Sequence, residues 1–145
     1  MNVIEKVESL DLNTAVPRSS RETMAGIAHL PRMIDKARSY QNSTLGEYIY
    51  PCPLDHIILR HLEVNPEDFA ELAKLNDDEQ LSVWTSAATR GRSRKELDLV
   101  NGKILNRKVD PDDMPYFLKA RNQIAPTRTD VTTWDDLINL EEGHI

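Results

Sequence analysis

The chain of 145 residues holds one cysteine, five glycines, two tryptophans and two phenylalanines. A single cysteine excludes an intrachain disulfide framework and any Cys-rich zinc site. Five scattered glycines leave no phosphate-cradling loop and no dinucleotide fingerprint, and no G-x-S-x-G occurs. No apolar run approaches the roughly 18 residues needed to cross a bilayer. The N-terminal stretch MNVIEKVESLDLN is acidic and lacks the apolar core of a signal peptide. A reducing, cytoplasmic setting is the expectation, and on that ground the sequon Asn42-Ser43-Thr44 is discounted as a glycosylation site. The length suits one domain with a modest core: a flexible segment over 1–12, then a single helical domain over 13–145.

What is present is charge, and it is patterned. The net charge is -6. Residues 63–82 carry -6 and residues 109–145 carry -5, while residues 90–108 carry +5. Residues 17–62 are nearly balanced at +2. Alternating blocks suit segments that fold against one another, and a nucleic-acid binder would be more uniformly basic.

The punctuation favours helices. Ser19 and Glu22 have capping-box spacing, which predicts a short helix from Ser20 to Leu30. Pro31 opens a second helix, in which Met33, Ile34, Ala37 and Tyr40 share one face and Arg32, Asp35, Lys36 and Ser39 the other. Residues 45–50, Leu45 to Tyr50, read as an extended loop or short strand. Pro53 opens a helix with Cys52 at its N-cap and Asp55 at its third position. Asn65-Pro66 opens the next. Asn76 and Glu79 predict the cap of another, with Leu81, Trp84 and Ala88 on its inner face, Val83 and Ala87 widening it, and Gly91 at its end. Ser93 and Glu96 cap a helix carrying Leu97, Val100 and Ile104, which Asn101-Gly102 is able to cut short. Pro115 places a helix start near Asp113 or Met114, with Phe117, Arg121 and Ile124 aligned along it. A last helix runs from Thr133 to Leu140. The expected fold is all-α, a single compact domain of seven or eight mostly short helices in irregular, orthogonal packing.

The stretch PRSSRETMAGIAHLPRMIDKARSY, followed by LGEYIYPCPLD, and the tail APTRTDVTTWDDLINLEEG resemble a bacterial family known as domain of unknown function 5069. The resemblance spans nearly the whole chain, from about Leu10 onward. It implies a small cytoplasmic bacterial domain, and brings no activity, substrate or cofactor with it.

Cys52 is the sharpest chemical candidate. A thiol at a helix N-terminus feels the positive end of the backbone dipole, which favours thiolate. His56, one turn on, is a candidate base, and Asp55 opposes ionisation. The bland reading is a small buried cap between two prolines. His29, His56 and His61 raise the question of a metal, but His56 and His61 are five apart and face different directions, so no metal and no cofactor are expected. Arg18, Arg21, Arg32, Lys36 and Arg38 form a dense basic group beside two helix starts, with Tyr48 and Tyr50 close behind. Asp35, Glu47 and Asp55 are equally able to neutralise it as a salt-bridge network. The basic run 89–95 lies between acidic blocks and reads as a solvated loop rather than a nucleic-acid contact. The acidic pairs at 77–78, 112–113, 135–136 and 141–142 fall at helix ends.

Three functional readings follow. The first is a non-catalytic binding or adaptor domain for an anionic small molecule or an acidic partner segment. Its site lies between the LPRMIDKAR helix and the GEYIYPCPLD loop, with Arg32, Lys36, Arg38, Tyr48 and Tyr50 as contacts. The second is a thiol-dependent enzyme using Cys52 with Asp55 and His56. The third is a structural or dimerising helical protein. Neither nucleic acid nor membrane is expected as a partner.

Overall fold

A computed structural model describes residues 7–145. Part of the segment expected to be flexible, residues 1–6, lies outside the described residues. Leu12 is buried, and its N–H donates to the Thr44 carbonyl at 2.9 Å.

Seven helices appear among the described residues: α1 (Leu30–Gln41), α2 (Pro53–Leu62), α3 (Pro66–Leu75), α4 (Asp78–Ala88), α5 (Arg94–Leu105), α6 (Met114–Ile124) and α7 (Trp134–Glu141). The class is all-α. The caps explain most boundaries. Asn65, Ser93 and Thr133 each accept the N–H three residues on, giving the first-turn donors a partner. The fourth helix starts one residue later than expected, because Asp77 with Gln80 forms the capping box, not Asn76 with Glu79. It ends at Ala88, three residues before Gly91, and Val83 points to solvent. The Asn101-Gly102 pair does not cut α5 short. Asn101 instead ties α5 to a hairpin, accepting from the Ala28 N–H and donating to the Gly26 carbonyl.

That hairpin replaces the helix expected over Ser20–Leu30. Two short antiparallel strands, β1 (Thr23–Met24) and β2 (Ile27–Ala28), are joined by Ala25-Gly26. Both turn residues have positive φ, 51° and 79°, the geometry of a tight two-residue hairpin. The Ser19–Glu22 spacing does form a local bond, from the Ser19 N–H to the Glu22 carboxylate, but it closes a turn instead of opening a helix.

The main core gathers Leu30, Met33, Ile34 and Ala37 of α1 with Ile58, Leu59, Phe69, Ala73, Leu81 and Ile104. A smaller cluster, Val109, Phe117, Val131, Leu137 and Leu140, holds α6 to α7. Helix α1 is buried on both sides, since its polar face, including Arg32, Asp35, Lys36, Arg38 and Ser39, is covered too. Buried charges persist only when paired and hydrogen-bonded. The partners of that polar face define the candidate site.

Candidate functional site

Three elements converge below the N-terminus of α2. The hairpin delivers His29, whose backbone is left-handed (φ 72°, ψ -15°) at the N-cap of α1. A non-glycine residue there is uncommon and is held by its surroundings. The His29 N–H donates to the carbonyls of Ser20 at 2.8 Å and Glu22 at 3.2 Å, and its own carbonyl accepts from Met33. This bend turns the ring inward, where it is 1% exposed. Helix α1 contributes Lys36, two turns along. Helix α2 contributes Cys52 at its N-cap and Asp55 at its third position.

Asp55 is the hub, fully buried at 0% exposure. Its Oδ1 meets His29 Nε2 at 2.8 Å, and its Oδ2 accepts from Lys36 Nζ at 2.6 Å and from the Cys52 N–H at 2.9 Å. Lys36 also donates to the Ile49 carbonyl at 3.0 Å and to Cys52 Sγ at 3.2 Å. Its three N–H groups therefore have three acceptors. Cys52 is half-buried.

The shifts of Cys52, His29 and Asp55 all run toward the charged form. Burial pushes the Cys52 thiol up, but the adjoining His29 ring and Lys36 outweigh it and hold the thiol below its ordinary value. Burial likewise disfavours charge on His29, yet the Asp55 carboxylate raises its pKa. Asp55, despite its burial, is held down at about 2 by His29 and Lys36. The four groups sum to zero as thiolate, imidazolium, carboxylate and ammonium. A proton passed from Cys52 to His29 leaves that sum unchanged. The second ring nitrogen, His29 Nδ1, is buried and has no hydrogen-bond partner among the described residues. A buried orphan of this kind needs a functional or structural reason.

One sulfur, one ring nitrogen and one carboxylate oxygen of this group lie within 4.8 Å of one another, which in kind is a metal-binding set. The Lys36 ammonium already bridges Cys52 and Asp55, so a divalent ion has to displace it. The geometry fits a thiol bonded by lysine better than a metal ligand.

A second polar group adjoins the first. Arg32 lies one turn before Lys36 on the same face of α1. Its two terminal nitrogens donate to the two oxygens of Glu142 at 2.7 and 2.9 Å. The Tyr48 hydroxyl donates to the same carboxylate at 3.0 Å, and Arg32 lies 5.6 Å over the Tyr48 ring. Burial and the Glu142 charge push the Tyr48 hydroxyl up to about 12.

The residues singled out in the sequence thus part company. Cys52, Asp55 and Lys36 meet in one cluster, and Arg32 and Tyr48 meet beside it. Arg38 turns away, binding the Ala73 and Asn76 carbonyls at the end of α3 and the Asp78 carboxylate. Tyr50 is buried against Tyr40 and donates to the Pro66 carbonyl at 2.7 Å. Arg18 pairs with Asp35 and Asp78, and Arg21 with Asp135 and Asp136. His56 makes no side-chain hydrogen bond to Cys52 among the described residues. The ring that accompanies the thiol is His29, and only its place beside the Pro31 helix start hinted at a fixed position. In the basic run, Arg92 pairs with Glu63 and Glu96, and Arg94 with Asp98.

Fold and site together define a small all-α protein built around a buried polar helix, whose Lys36 donates to a cysteine at the N-cap of α2. The chain belongs to the family described as Domain of unknown function (DUF5069), whose model matches residues 14–144. No curated protein matches the chain. No described helix is long and apolar enough to cross a membrane.

Proposed function

We propose that Cys52 acts as a thiolate nucleophile in a group-transfer or hydrolytic reaction on a small electrophilic substrate. His29 is its proton partner, Asp55 orients the ring, and Lys36 stabilises the thiolate. The observation that carries this reading is the convergence of all four groups, with His29 Nδ1 left unpartnered among the described residues. A nucleophile, a ring nitrogen within 4.8 Å of it and a third group fixing that ring are the parts such chemistry needs.

With an acyl substrate the cycle balances. The sulfur–carbon bond forms, the bond to the leaving group breaks, and the leaving group takes the proton from His29. Water then attacks the thioester, gives its proton back to His29, and releases the acid and the thiolate. A lone reactive thiol of this type suits a reducing, cytoplasmic compartment.

Adaptor-like binding of an anion by Arg32, Lys36 and Arg38 together has less support, because the three do not converge: Arg38 turns to the end of α3 and Asp78, and Lys36 is held on Asp55. The test is the rate of Cys52 alkylation by iodoacetamide across pH, read by mass spectrometry. The expected midpoint lies below the ordinary thiol value of about 8.5. A midpoint at or above that value overturns the proposal.

A further inference from the structure

We infer that Arg32 and Tyr48 form a carboxylate-recognition subsite for the substrate of the Cys52 centre, and that the chain's own Glu142 fills that subsite in the resting protein. The inference rests on the thiolate reading of Cys52 and names the substrate class it serves.

The subsite has the marks of a built anion receptor. The Arg32 guanidinium presents a flat fork to both oxygens of Glu142, at 2.7 and 2.9 Å. That bidentate geometry is specific for carboxylate and related planar anions. The Tyr48 hydroxyl adds a donor at 3.0 Å, and its ring supports the guanidinium from below. His144 Nε2 lies 3.3 Å from the same carboxylate. Arg32 is only 7% exposed, so the fork is already desolvated and its orientation already fixed.

Position links the subsite to the thiol. Arg32 and Lys36 are four residues apart on one face of α1, which separates them by about 6 Å along the helix. Lys36 touches Cys52 Sγ, and Tyr48 lies in the loop that leads into Cys52. The matching ligand is a small acid that carries an electrophilic carbon beside its carboxylate. When it binds, its carboxylate takes the fork and Glu142, at the C-cap of α7, swings to solvent.

Two maleimides with the same reactive ring test this: neutral N-ethylmaleimide and anionic 3-maleimidopropionate. In each, sulfur bonds to one ring carbon, the carbon–carbon double bond opens, and the other carbon takes a proton. The quantity read is the ratio of the anionic to the neutral rate at Cys52. Glu142→Gln is expected to raise the ratio about tenfold or more, the worth of a charge-assisted hydrogen-bond pair. Adding Arg32→Lys to that variant keeps the charge, removes the fork, and is expected to return the ratio to the wild-type value. Glu142→Ala removes the resident carboxylate altogether while keeping Arg32 and Tyr48, and is expected to raise the ratio likewise. It decides the matter if Glu142→Gln does not fold. An unchanged ratio in the folded variants overturns the subsite, and so does a ratio that stays high with Lys at 32, which is attraction by charge alone. Failure of the thiolate reading shows separately, as an ordinary thiol midpoint with N-ethylmaleimide whatever the ratio.

Discussion

The Asp55 carboxylate meets His29 Nε2 at 2.8 Å, although 26 positions separate the two residues. With Nε2 engaged by the carboxylate, Nδ1 is the nitrogen left without a partner among the described residues. The carboxylate fixes the ring by holding one of its two edge nitrogens.

His29→Gln is therefore expected to move the Cys52 alkylation midpoint up in pH, because the ring is the strongest influence holding the thiol down. His56→Ala is expected to leave the midpoint in place. Iodoacetamide kinetics on both variants check this. A shift with His56→Ala and none with His29→Gln reverses the assignment.

Stability has two pH limbs. Asp55 is held at about 2 against an ordinary 3.8. Its contribution of about 2 kcal/mol is present above the ordinary value and is lost as pH falls through the folded one. His29 is raised, so its contribution is complete below its ordinary value and is lost as pH climbs through the raised one. Urea unfolding at a series of pH values is expected to show a plateau between the two limbs. Asp55→Asn is expected to flatten the acid limb. An acid limb of equal size in that variant places its origin elsewhere.

Lys36→Met removes one partner of a buried ion pair and is expected to cost about 3–5 kcal/mol, because the Asp55 charge is left undercompensated. The same change raises the Cys52 midpoint, since Lys36 favours the thiolate. The double variant Lys36→Met with Asp55→Asn is expected to lose less than the sum of the two single losses, as neighbours in one network do. Additive losses in denaturation midpoints count against a shared network.

Local rules read much of this molecule. Cys52, Pro53 and Asp55 announce the start of α2 because cap chemistry is encoded within four residues. The fold class follows from similar signals along the chain. Pairings across the chain are different. Nothing near His29 points to Asp55, and nothing near Arg32 points to Glu142, 110 positions away. The polar face of α1 looks in sequence like a solvent face. It is buried because each of its charges finds a partner from another element, which spacing within one helix cannot reveal. Over Ser20–Leu30 the capping rule that Ser19 and Glu22 satisfy competes with the turn that Ala25-Gly26 imposes, and the turn prevails.

The hairpin also offers a test of how His29 is placed. Gly26 has a φ of +79°, and a Cβ there meets the Leu97 side chain at 3.2 Å. Gly26→Val strains the backbone and crowds α5, with an expected loss of about 1–3 kcal/mol. Gly91→Ala is the control, as its added Cβ meets nothing within 4 Å, and it is expected to be neutral or stabilising by up to about 1 kcal/mol. The difference matters for chemistry as well as stability. If the turn aims His29 at the thiol, Gly26→Val raises the Cys52 midpoint in protein that is still folded, and Gly91→Ala does not. Melting curves and alkylation rates on the same samples separate the two effects. A folded Gly26→Val protein with an unshifted midpoint shows that α1 alone holds the ring in place.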